Sequence, residues 1–196
     1  NTAIRQKNLN SGDVQSIAEK ILSQMPPEFQ ETSYIAQASA SFGRDTSKVS
    51  IHIFMFLTVP IPPKALKLWL NAANFETQLF TDNLTLSSNG QSLSYPLDVS
   101  ISENSKTVFI APPTFDPVED DPFDSKDDRI VLVKRKKHHI DLARFMNDIN
   151  PESVFQKTVE AKNNLRSQSG LSRKKSQIKN IKVGMQIEEV LQNPDQ

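Results

Sequence analysis

Cysteine is absent from this chain of 196 residues. That one absence excludes disulfides, thiolate zinc sites and cysteine nucleophiles together. Glycine is scarce, at five residues, and none of Gly12, Gly43, Gly90, Gly170 and Gly184 falls in a phosphate-cradling spacing. Net charge is also missing, because 23 Lys and Arg balance 23 Asp and Glu. Attraction to nucleic acid or anionic lipid must therefore come from local patches and not from a whole-molecule field. No long apolar run exists. The greasiest stretch, residues 51–61, contains His52, Thr58 and Pro60 and falls far short of the roughly 20 residues a spanning helix needs. The chain opens at Asn1 without a methionine, which leaves open a targeting segment or anchor before it. Neither that nor the lack of cysteine fixes a compartment.

What is present is ordinary in amount and uneven in placement. The apolar fraction of 37% and charged fraction of 23% read as a soluble globular protein, long enough for one ordinary domain with a real core or one domain with appended helices. Asp116, Glu119, Asp120, Asp121, Asp124, Asp127 and Asp128 crowd one segment, offset only by Lys126. The apolar run Ile130-Val131-Leu132-Val133 follows Arg129. Lys134, Arg135, Lys136 and Lys137 come next, with His138 and His139 behind them. A neutral protein thus places acid and base at the two ends of one apolar strand.

The periodicities predict an α+β fold. Val14, Ile17, Ala18, Ile21, Leu22 and Met25 recur at helical spacing. Ser11 or Asp13 can cap that helix, and Pro26-Pro27 stop it. Residues 34–42 read as a strand. Residues 48–59 read as the strongest strand, with Val49, Ile51, Ile53, Met55, Leu57 and Val59 on one buried face. That pattern predicts a central strand. Pro62-Pro63 fits the first turn of a helix carrying Leu66, Trp69, Leu70 and Ala73. Asn89-Gly90 signals a hairpin that pairs Leu86 with Leu93 and Thr85 with Ser94. A second hairpin is expected to pair Ile101 with Val108 and Val99 with Ile110. Two hairpins argue for an antiparallel, sandwich-like sheet over residues 33–135. The apolar strand at 129–134 is expected to be buried. Leu142, Phe145, Met146 and Ile149 mark a helix. Asn150-Pro151 can start another, with Val154, Phe155, Thr158, Val159 and Leu165 on one side. Ile181 and Val183, then Ile187, Val190 and Leu191, suggest a strand and a short helix, with one helix running through Gly184 as the alternative. Residues 1–150 are expected to form the β-rich core domain with its N-terminal helix, and 151–196 a basic helical extension.

The chemistry-bearing residues point away from catalysis. The acidic run lacks the turn glycine and distal glutamate of a calcium loop, although Asp120, Asp121 and Asp124 can gather a divalent cation loosely. His138 and His139 are adjacent and point apart on a helix, so they form no two-ligand metal face. His138 and Asp141 can pair, while His52 stands alone on a strand. Asn83-Leu84-Thr85 is a formal glycosylation sequon. No catalytic residue, metal site, cofactor or small-molecule substrate is expected. Lys134, Arg135, Lys136 and Lys137 form one basic cluster, and Arg173, Lys174 and Lys175 a second. Together they can hold phosphate backbone, but no aromatic residues interleave to stack bases.

The expectation is therefore a non-enzymatic, β-sandwich structural or protein–protein interaction subunit of a larger assembly. Viral or phage structural proteins and envelope-associated assembly proteins fit that profile. Acid on one copy would meet base on the next, giving self-association into oligomers. The alternative is a nucleic-acid or anionic-membrane binding protein that uses the basic patches.

Overall fold

A computed structural model describes residues 8–44, 48–116 and 121–170. In chain order its elements begin with α1 (Ser11–Leu22), α2 (Pro27–Glu31), β1 (Tyr34–Ala38), β2 (Ile51–Phe54) and β3 (Phe56–Leu57). There follow α3 (Pro63–Ala73), α4 (Gln78–Thr81), β4 (Thr85–Leu86) and β5 (Leu93–Ser94). The last are β6 (Ile130–Val133), β7 (His139–Ile140) and α5 (Pro151–Gln168). The chain divides into two compact units, neither continuous in sequence. Unit 1 spans Asn1–Pro60 and Ser105–Phe145, and unit 2 spans Ile61–Asn104 and Met146–Gln196.

Unit 1 is a helix laid on a three-stranded antiparallel sheet of order β2-β1-β6. Asn10 caps α1 in a reciprocal box. Its side chain accepts from the Gly12 N–H at 2.8 Å, and Asp13 accepts from the Asn10 N–H at 2.9 Å. The cap is thus one residue earlier than the expected Ser11, and Asp13 fills the third position of the box. Val14, Ala18 and Leu22 are buried, one helical face apart. They meet the sheet face bearing Tyr34, Ala36 and Ala38, which are also buried. Gly43 holds a left-handed backbone (φ +77°) where the chain passes Leu9 and Pro122. A Cβ there would come 2.5 Å from Leu9 Cδ1 and 3.0 Å from Pro122 Cβ, so only glycine fits.

Three expectations need correction. The central strand is β1, not the 48–59 segment, which supplies the edge strand β2 and the short β3; no residue from 51 to 60 is buried. Alternation reports which residues share a face, not whether that face is covered. Strand β6 forms where expected but is not buried, since Ile130 is 47% and Leu132 58% exposed. It is the opposite edge of the sheet, and its exposed residues Ile130 and Leu132 stand opposite Gln37 and Ile35, on the face away from Tyr34 and Ala36. The sandwich is not found among the described residues, where the sheets have three, two and two strands. One two-stranded sheet joins β3 and β7 in parallel.

Unit 2 is mostly helical. Pro63 opens α3, and Trp69, Leu70, Ala72 and Ala73 are buried on it. The hairpin β4–β5 has the expected register, Leu86 opposite Leu93 and Thr85 opposite Ser94. Its turn differs from the tight two-residue loop: Gly90 takes positive φ (+67°) and donates its N–H to the Ser87 carbonyl at 2.7 Å. The second hairpin does not form, because Val99–Ser102 is a 3-10 turn. The Asp98 carboxylate accepts from the Ser100 N–H at 2.9 Å and captures the chain in a tight turn before it can extend. The helix expected over residues 142–149 is only a 3-10 turn, Ala143–Phe145. By contrast Asn150 caps α5 as expected, accepting from the N–H groups of Glu152 (2.9 Å) and Ser153 (3.1 Å). The predicted strand and helix over residues 181–191 lie outside the described residues.

Candidate interaction surface

The acid-strand-base segment is sorted by the structure into one internal pair and two sets of surface charge. Arg129, the first residue before β6, is only 1% exposed. Its guanidinium pairs with Asp121 and donates to the Ser39 carbonyl at 3.2 Å. It lies over the rings of Phe123 (4.5 Å) and Phe115 (5.1 Å), a cation–π arrangement that is favourable away from water. Asp121 is therefore a structural residue that joins the acidic segment to the end of β1. In the sequence Arg129 opens a strand expected to be buried, but nothing there assigns it a partner. The phenylalanines at 115 and 123 were the only available cue.

Among the remaining acids, Asp116, Asp124 and Asp127 are exposed and Asp128 is half-buried. Asp127 and Asp128 sit in a 3-10 turn, Lys126–Arg129, that leads directly into β6. Ser125 accepts from the Asp127 N–H at 3.2 Å and fixes that turn. Glu119 and Asp120 lie outside the described residues.

The basic run alternates, as extended backbone requires. Arg135 pairs with Glu19 of α1 at 2.5 Å, and Lys137 with Glu31 of α2 at 2.6 Å. The hydrogen bond and charge of Lys137 hold the Glu31 carboxyl below its ordinary range. Burial pushes the Tyr34 phenol above its usual value, and the Glu19 carboxylate adds to that effect. Lys134 and Lys136 are exposed and form no ion pair among the described residues. Half of this basic patch is thus neutralised internally. Arg173, Lys174 and Lys175 lie outside the described residues.

The histidines come to no common site. His52 stacks on Phe54 with centroids 6.1 Å apart, and His139 lies 6.0 Å from Phe56. His138 Nδ1 is 3.4 Å from Ser33 Oγ. Among the described residues no group of three His, Asp or Glu can hold a metal ion, and no helix is long and apolar enough to cross a membrane. A shallow groove of unit 2, about 410 Å³, is lined by Phe75, Leu84, Lys157, Glu160 and Asn164 among others.

The exposed apolar side chains of unit 1 are a feature the sequence reading missed. Residues opposite one another in a sheet share a face. Ile130 stands opposite Gln37, and Leu132 opposite Ile35. Gln37 is buried and donates from Nε2 to the Ile110 carbonyl at 2.8 Å. This hydrogen bond places the 109–110 segment on the same face. Phe109 is 80% and Ile110 70% exposed. Ile130 and Leu132 are thus exposed on a face that the 109–110 backbone covers at Gln37, and Phe109 and Ile110 are themselves exposed on that covering segment.

Comparison of the chain with protein-family models, with curated proteins and with solved structures finds no match.

Proposed function

We propose that this chain is a non-enzymatic, self-associating subunit of a larger protein assembly, and that unit 1 carries the contact surface. The observation that carries the reading is the set of exposed large apolar side chains of unit 1, Ile130 and Leu132 on β6 and Phe109 and Ile110 on the segment hydrogen-bonded to Gln37. A contiguous exposed apolar patch rimmed by charge marks a surface made for contact. Here the rim is Asp128 on one side and Lys134 on the other, with Asp124 and Lys136 beyond. Charged rims set partner orientation and association rate, while the apolar centre carries affinity.

The test is the mass of the chain in solution across a concentration series, at low and at high salt. Oligomers at low salt that weaken but persist at high salt are the expected result. An apolar centre survives screening, whereas exposed charges do not. A monomer at every concentration and both salt levels overturns the reading.

Nucleic-acid or anionic-membrane binding draws its support from Lys134 and Lys136, which are exposed together. It is the weaker reading, because Arg135 and Lys137 are already engaged by Glu19 and Glu31.

A further inference from the structure

Strand β6 is the terminal strand of the order β2-β1-β6, so its second edge pairs with no strand among the described residues. Natural sheets protect such an edge by placing charge or proline within it. Here the charges stand at the ends, acid before and base after, and the strand itself is Ile-Val-Leu-Val. That layout is self-complementary, because an antiparallel copy presents its base where the first copy presents its acid. The other edge, β2, carries no such code: Lys48 precedes it and no acid follows it before Glu76.

We propose that two copies of the chain pair edge to edge through β6, antiparallel and centred on Val131, to make one continuous six-stranded sheet. The inference rests on the self-association proposed above and specifies its geometry. The centre is selected by elimination. Opposite residues must share a sheet face, which leaves registers centred on a residue and not between residues. Centred on Val131, Ile130 faces Leu132 of the second copy, a pair that occurs twice by symmetry. Each end of the paired strands then brings Lys134 of one copy toward the turn Lys126–Arg129 of the other, which carries Asp127 and Asp128. Centred on Ile130, Leu132 would instead run past β6 onto that turn. Centred on Leu132, Ile130 would face Lys134. Only the Val131 register sets apolar against apolar within the strand and base beside acid at its ends. It also joins the two sheets face to matching face, so that Ile130 and Leu132 of both copies lie on one surface.

Charge reversal tests the register. Asp128→Lys alone brings lysine near lysine at both ends of the dimer, and Lys134→Asp alone brings acid near acid. Each is expected to weaken self-association by about tenfold or more. An equimolar mixture of the two variants restores opposite charges at both ends and is expected to return wild-type association as a heterodimer. The absence of cysteine allows a second measurement. Facing residues in an antiparallel pair have Cα atoms about 4.5–5.5 Å apart, within reach of a disulfide. The Ile130→Cys/Leu132→Cys double variant should cross-link under mild oxidation, and Ile130→Cys alone should not. This arm holds even if a charge variant fails to fold. If the chain associates but the mixture does not rescue and the double variant does not cross-link, the register is overturned while self-association stands. A monomer throughout overturns both.

Discussion

Helices α1 and α5 are built to opposite plans. The shorter, α1, buries Val14, Ala18 and Leu22 against a sheet; the longer, α5, buries no residue and leaves Phe155 and Val159 exposed. Both have side-chain caps at their N-termini. A cap satisfies orphan N–H groups wherever a helix begins, so it predicts existence. Burial needs an apolar face matched to a partner, which α5 largely lacks. Helix length and capping therefore say little about which helix anchors a core. The same contrast separates the two units. Unit 1 is tied by a charged buried group, Arg129, and unit 2 by a neutral one, Asn74.

Asn74 is fully buried and clamps the chain beyond the hairpin. Its Nδ2 donates to the carbonyls of Leu70 (2.8 Å) and Leu97 (3.0 Å), and its Oδ1 accepts from the Leu97 N–H at 2.9 Å. Arg129 by comparison joins Asp121, Ser39 and two aromatic rings. The difference predicts a ranking. Arg129→Ala should be the most damaging, at about 3–5 kcal/mol, since it strands the Asp121 carboxylate in a largely buried site. Replacing Arg129 and Asp121 together by apolar residues should cost less than Arg129→Ala alone. Urea unfolding followed by circular dichroism measures both, and equal losses would deny that the ion pair matters. Asn74→Ala should cost about 1–3 kcal/mol by leaving the Leu97 groups unpaired. Trp69, the single tryptophan, is buried in α3, so its fluorescence should report this loss directly. A change in dichroism with unaltered tryptophan emission would contradict the assignment.

The smallest effect belongs to the Glu31–Lys137 pair. Because the folded Glu31 carboxyl is lowered, its contribution is present above the ordinary carboxylate pKa and is lost as pH falls through the lowered value. Glu31→Gln should therefore reduce the melting midpoint slightly at neutral pH and not at strongly acid pH. A difference that persists in acid would sink the assignment. The pair is solvent-exposed, and such pairs contribute little.

Much of the fold was legible where the signal is local. Asn150-Pro151 opened a helix, Pro62-Pro63 opened another, and the register of β4 and β5 followed from matching Leu86 to Leu93. The misreadings share a physical cause. Val99 and Ile101 alternate as a strand would, but Asp98 captures the Ser100 N–H and folds the segment into a 3-10 turn. Residues 51–59 alternate too, and nothing in alternation distinguishes an edge from a centre. Of the candidate site, the charge reversal was plain to see. That Asp121 is drawn into a pair with the buried Arg129 was not, because it depends on Ser39 coming from a distant part of the chain to meet Phe115 and Phe123.

The position of β1 has a consequence for synthesis. Its partner β2 begins at Ile51, soon after β1 ends at Ala38, whereas β6 is not made until Tyr34 can meet Val133. All of the unit 2 segment from Ile61 to Asn104 must emerge in between. During that interval β1 offers a bare edge and its apolar Ile35 face to any neighbouring chain. Such non-local closure is slow and exposes nascent protein to mispairing. Nascent chains are thus at greatest hazard between completion of β2 and emergence of β6, and a chaperone acting in that window would protect yield more than one acting on the finished protein.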